Sequence, residues 1–169
     1  MMTIHCGLDV RLKVLIQIDS REHAKAIAKI KSAFDKANIK YVVSKLYVGD
    51  YMSYDNPRLV VDRKQNLSEI CYNIASVKTQ RERFIRELER AQDAGITVIV
   101  LVEHGNGIAC IEDVCSWINP RRMKSKTAAT GKYLAKCMHE LEEKYDIKFE
   151  FCSKEDTGSK IIDILQKGE

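Results

Sequence analysis

The feature of this chain that most narrows its folding options is the run ITVIVLVE at residues 96–103. From Val98 to Val102 every side chain is apolar and most are β-branched. A strand of that kind has no face left for water, so it must be covered on both sides by helices, as in a parallel or mixed sheet. Gly95 stands before it and the loop HGNG follows it, which bounds the run as a strand should be bounded. No apolar run in the chain approaches membrane length.

The remaining sequence alternates between strand and helix periods. KVLIQID (13–19) reads as a first strand, and residues 21–37 place Ile27, Ile30 and Phe34 at helical spacing behind a capping Ser20. KYVVSKLYV (40–48) reads as a second strand ended by Gly49, and RLVVDRK (58–64) as a third. The turn-like segment 54–57 between them predicts that these two pair as a hairpin. Helices are expected at 66–76, 78–94, 127–145 and 156–166, with a last strand, IKFEFC, at 147–152. The expected fold is α/β: a single domain over residues 1–169 with a central mixed sheet and helices on both faces. Its core spans about 13–103, and an extension, 104–169, carries a basic loop and helices that pack on the sheet. A chain of 169 residues can bury such a core without disulfide or metal staples.

The third strand breaks its own pattern, because Leu59, Val60 and Val61 are followed at once by Asp62, Arg63 and Lys64. Strand side chains alternate, so Asp62 and Lys64 point one way and Arg63 the other. Asp50, just after Gly49, can converge with Asp62 and Lys64 at one sheet edge. Two carboxylates and a backbone carbonyl make a hard oxygen site suited to Mg²⁺ or Mn²⁺, and a lysine beside it can stabilise charge on a phosphate. A salt-bridged strand edge would carry the same three residues.

Three motifs in order sharpen that choice: IDSRE at 18–22, GDY at 49–51 and VDRK at 61–64. Together they resemble the XPF-type nuclease domain, a branch of the PD-(D/E)XK superfamily, whose members carry D-x-R-E, then G-D, then E-R-K-x-x-x-D. The resemblance runs from about residue 13 through RERFIREL to the strand ending at Val102. It implies a restriction-endonuclease-like core. Asp50 and Asp62 then match metal-binding acids, Lys64 a catalytic lysine, and Asp19 and Glu22 further acids of the active site. Arg63 would hold the site in shape through an ion pair. The implied cofactor is Mg²⁺, with Mn²⁺ able to substitute, and the implied activity is metal-dependent DNA endonuclease cleavage at branched or flap structures. Repair, recombination or replication would use it.

Two positions depart from the pattern. Asp62 stands where the family has glutamate, and Ser68 falls on its closing aspartate, with Glu69 next. Ser68 reads as a helix cap or an early helical residue, so both Ser68 and Glu69 are left outside the metal site. Larger members append paired helix-hairpin-helix modules, for which this length leaves no room. Selectivity would then come from the basic loop, from a homodimer or from a partner protein. Compact versions of the domain occur in bacteria and their viruses. The alternative is a catalytically silent DNA-binding or heterodimer-partner domain, although such partners usually lose the acids or the lysine.

For a DNA surface the sequence offers NPRRMKSKTAATGK (119–132), where Arg121, Arg122, Lys124 and Lys126 stand without an acid. Arg83, beside Phe84, is a candidate for holding substrate or for ordering Asp19 and Glu22. A net charge of +4 permits an anionic partner without demanding one. The six cysteines have no C-x-x-C pair, and the four histidines, at 5, 23, 104 and 139, have no metal spacing. Reduced thiols and the lack of a signal peptide place the expected protein in the cytoplasm, with no membrane partner. Trp117 reads as a core residue with base stacking as its alternative.

Overall fold

The computed structural model describes residues 14–105 and 107–167; His5, Cys6 and Lys13 lie outside them. Six strands form one sheet: β1 (Leu15–Asp19), β2 (Lys40–Ser44), β3 (Tyr51–Ser53), β4 (Leu59–Lys64), β5 (Thr97–Glu103) and β6 (Lys148–Cys152). Their spatial order is β2-β1-β3-β4-β5-β6. β3 runs antiparallel to both β1 and β4, and every other neighbouring pair is parallel.

Parallel neighbours need a crossover, and helices supply each one. α1 (Ala24–Lys36) joins β1 to β2. α2 (Leu67–Cys71), a π-helical turn (Tyr72–Ser76) and α3 (Lys78–Asp93) join β4 to β5. α4 (Ile111–Val114), a 3₁₀ turn (Pro120–Met123) and α5 (Gly131–Tyr145) join β5 to β6, and α6 (Thr157–Lys167) closes the chain. None of these helices is long and apolar enough to cross a membrane.

β5 sits where its composition requires, between β4 and β6 with both faces covered. Val98, Val100 and Val102 pack with Leu67, Ile70, Phe84, Leu88, Leu134 and Met138 from α2, α3 and α5. Ile99 and Leu101 face the other way, with Ile27, Ile30 and Phe34 of α1 and Ile161 and Leu165 of α6. Strand alternation thus produces two separate cores, one on each side of the sheet.

Two local expectations are corrected. The hairpin is made by β3 and β4, not by the strand at 40–48, which ends at Ser44 and lies at the sheet edge, parallel to β1. The chain leaves β2 because the side chains of β1 capture it: Gln17 Nε2 donates to Ser44 Oγ (2.8 Å) and to the Lys45 carbonyl (3.2 Å), and Asp19 Oδ2 accepts from the Leu46 amide (2.7 Å). Ser20 does not cap α1, whose N-cap is His23 with no side-chain bond. Asp19 turns the chain there instead, accepting the Arg21 amide at 2.7 Å.

Gly131 is required by packing at the start of α5. A Cβ at this position would overlap the carbonyl oxygens of Val114 and Trp117. Gly131→Ala should therefore destabilise the protein by about 2 kcal/mol, lowering the midpoint of a thermal melt by roughly 5 °C.

Candidate active site

The end of β4 carries the charges, and alternation sorts them onto two faces. Asp62 and Lys64 follow Val60 on the side of α2 and α3, while Arg63 follows Val61 to the side of α1 and α6. Lys64 Nζ lies 2.8 Å from both oxygens of Asp62. Asp50 arrives from the turn before β3. Gly49 makes that turn at φ +71°, pressed against Val60, where a side chain would be strained and crowded. Asp50 Oδ2 then accepts the Arg63 amide at 2.8 Å, and its own backbone carbonyl accepts the Asp19 amide at 2.8 Å.

The electrostatics follow from this crowding. Burial pushes the Asp50 carboxyl well above the usual carboxylate range, and the Asp62 charge pushes it further; Lys64 offsets only part of this. For Lys64 burial acts downward, but the carboxylates of Asp62 and Asp50 outweigh it and keep the ammonium protonated. The cluster thus holds two acids against one lysine, and an added cation would relieve the repulsion. Among the described residues no group of three or more His, Cys, Asp or Glu converges on one ion position. A metal here would rest on Asp50 and Asp62, with water and phosphate oxygens completing its shell. That donor set fits Mg²⁺, which keeps several waters and binds through one or two carboxylates.

On the opposite face Arg63 is buried between two glutamates. Its Nη2 stands 2.8 Å from Glu22 Oε2 and its Nη1 2.9 Å from Glu103 Oε1. Tyr51 Oη donates to the same Glu22 oxygen at 3.0 Å. Burial would lower the Arg63 pKa, but Tyr51, Glu22 and Glu103 around it drive it above its ordinary value. Glu22 is thereby tied to Arg63 and Tyr51, and its charge also reaches Asp50, whose carboxyl it pushes further up. Asp19 is also occupied: Arg21 Nε and Nη2 reach its two oxygens at 2.8 and 2.9 Å. Burial alone would raise the Asp19 carboxyl, but hydrogen bonds from Arg21 and from the amides of Arg21 and Leu46 hold it below the usual range.

Arg83 does not order Asp19 or Glu22; Arg21 and Arg63 do that. Arg83 instead lines a cleft of about 210 Å³ with Lys64, Glu69, Asn73, Phe84 and Glu87. Glu87 was not legible as a site neighbour, whereas Glu69 stands next to the motif's closing position. Glu87 accepts the Gly49 amide at 3.4 Å from the middle of α3, and Glu69 adds its charge to the field that keeps Lys64 protonated. Helical periodicity places Glu87 on the partly exposed flank of α3, but only the fold shows what faces it. The cap of α2 is Asn66, which accepts the Glu69 amide at 2.9 Å, so of its two readings Ser68 takes that of an early helical residue, exposed. The basic-loop residues Arg121, Arg122, Lys124 and Lys126 line a different cavity on the same side of the sheet. Trp117 packs half-buried against the core.

The buried Arg63 is the structural hinge of this arrangement. Arg63→Met leaves Glu22 and Glu103 facing each other unpaired and should cost about 3–5 kcal/mol in a denaturant titration. Removing the glutamate charge as well, in Arg63→Met with Glu103→Gln, should recover part of that loss.

The comparisons bear on the family and the fold. A sequence model described as "ERCC4 domain" matches residues 18–164. No curated protein matches the chain. Among solved structures, XPF from Aeropyrum pernix superposes with a TM-score of 0.62 at 19% identity, over 91% of this chain and 66% of that one. At that identity the likeness is one of fold, and this chain spans about two thirds of that structure's length. The family match encloses Asp19, Glu22, Asp50, Asp62 and Lys64 as well as every strand from β2 to β6, and the chain belongs to the ERCC4-domain family of XPF-type nuclease domains.

Proposed function

We propose that this chain is a divalent-metal-dependent endonuclease that hydrolyses phosphodiester bonds in DNA at branched or flap structures, in DNA repair. The observation that carries the reading is the convergence of Asp50 and Asp62 on the protonated Lys64, on one face of the sheet. Family membership supports it, since ERCC4-domain nucleases depend in general on divalent metal, act on DNA and often work as homodimers or heterodimers.

Asp50 and Asp62 would hold the ion. A bound Mg²⁺ or Mn²⁺ supplies an acidified water and offsets phosphate charge. Lys64, released from Asp62 toward the incoming phosphate, donates from Nζ to the oxygen on which charge develops. Arg83, on the wall of the same cleft, holds a neighbouring phosphate. Asp19 and Glu22 act at one remove: Asp19 sets the turn after β1, and Glu22 holds Arg63, whose amide fixes Asp50. Tyr51 is tied to Glu22 with its hydroxyl pKa driven up by burial, so it offers no phenolate nucleophile. Hydrolysis by water, without a covalent enzyme intermediate, is the reading this supports.

The test is cleavage of labelled flap, fork, bubble and plain duplex DNA with Mg²⁺, Mn²⁺ or EDTA. Cutting should occur near the branch, stop in EDTA and fall at least about 100-fold in Asp62→Asn and in Lys64→Ala. Binding without cutting in every metal would sink the nuclease reading and leave a silent DNA-binding or heterodimer-partner domain. Equal cutting of plain duplex would remove the branch preference alone.

A further inference from the structure

The π-helical turn Tyr72–Ser76 borders two openings: Asn73 lines the cleft of Lys64, whereas Ala75 and Ser76 line a cavity of about 590 Å³. Arg121, Arg122, Lys124 and Lys126 surround this second cavity, and among the described residues no carboxylate pairs with any of them. A solvated basic loop would share that charge. Two further observations do not belong to a solvated loop.

The first is that the loop is built in advance. Asn119 is 1% exposed; its Oδ1 accepts the Arg121 amide at 3.0 Å and its Nδ2 donates to the Ala129 carbonyl at 2.9 Å. Arg122 Nη1 donates to the Ala128 carbonyl at 2.7 Å. Both ends of the basic segment are therefore clamped together, which removes much of the ordering cost of binding.

The second is the aromatic and apolar surface set among the cations. Tyr133 lines the cavity and is 46% exposed; outside its wall, Tyr72 is 38% exposed and Met123, on the 3₁₀ turn, 90%. The Arg121 guanidinium stands 5.6 Å from the Tyr72 ring. Duplex phosphates need only the cations. Exposed rings between lysines and arginines are what a single strand uses, because its free bases stack while its phosphates follow the charge. A protein docking surface would instead be depleted in lysine.

Resting on the nuclease reading for the identity of its substrate, we infer that this cavity takes the single-stranded arm of the branched DNA. Tyr72 and Tyr133 stack bases, the four basic residues track phosphates, and Met123 is the apolar contact where the arm leaves the duplex. The shared π-helical wall places the arm beside the cleft in which Lys64 and Arg83 act. π-Turns of this kind recur at functional sites.

The experiment measures fluorescence anisotropy of labelled oligothymidylate, and of a duplex of equal length, with the full chain in EDTA so that nothing is cut. Tyr72→Ala and Tyr133→Ala should each weaken oligothymidylate binding about tenfold without a matching loss on duplex, and Tyr133→Phe should retain it. Lys124→Ala with Lys126→Ala should weaken both ligands and flatten the dependence on salt. Thermal melting checks that each variant folds, and the two tyrosines lie on different elements, so either variant alone carries the test. If both Ala variants bind oligothymidylate as the native chain does, the single-strand site is overturned, and the patch is a duplex or protein surface. Since binding is read without cleavage, that result leaves branch cutting intact; tyrosine-dependent binding by a chain that cuts nothing would remove the nuclease reading alone.

Discussion

The site depends on one guanidinium. Arg63 lies at the centre of the sheet, with 5% of its surface exposed, and joins Glu22 from the segment after β1 to Glu103 at the end of β5. Its backbone amide holds Asp50 from the turn before β3. Three separate segments are thereby locked to a single residue. A buried ion network of this kind is a weak source of net stability, because desolvation offsets most of the attraction. What it supplies is geometry, since each partner has a fixed position and moving any of them strands a buried charge.

The reactive face inherits that order through strand alternation. With Arg63 committed to one side of β4, Asp62 and Lys64 must occupy the other, where α2, the π-turn and α3 leave a cleft beside the lysine. The same layer of helices carries the basic cavity, because α5 and the loop before it pack on that face against the core beneath. The Asp62–Lys64 pair and the basic cavity thus share one side of the sheet. The other side, with α1 and α6, supports.

Legibility in the sequence varied with the range of the interaction that each feature depends on. The buried strand at β5, the helical stripes of α1, α3 and α5, and the shared face of Asp62 and Lys64 follow from local periodicity, which tertiary context did not override. The expected hairpin failed for a physical reason. The pattern of KYVVS fits any neighbour, and the strand that actually pairs with β4 is only three residues long, too short to register as a period. The cap at Ser20 failed because the buried Asp19 carboxylate took over the turn. Glu87 was hidden because an acid on a charged amphipathic helix has the same sequence appearance whether it faces solvent or a cleft.

The sequence by itself determined the layered α/β class, through an apolar strand that had to be covered twice, and it determined which charges share a face. The order of motifs also marked the family. Only the tertiary structure decided which arginine orders which acid, since these pairs join residues as far apart as Arg63 and Glu103. It also decided that Glu22 pairs with the buried Arg63 and that exposed tyrosines stand beside the basic loop. Such facts rest on contacts between segments distant in the chain, which no local pattern records, because a side chain's neighbours are chosen by the packing of the whole sheet.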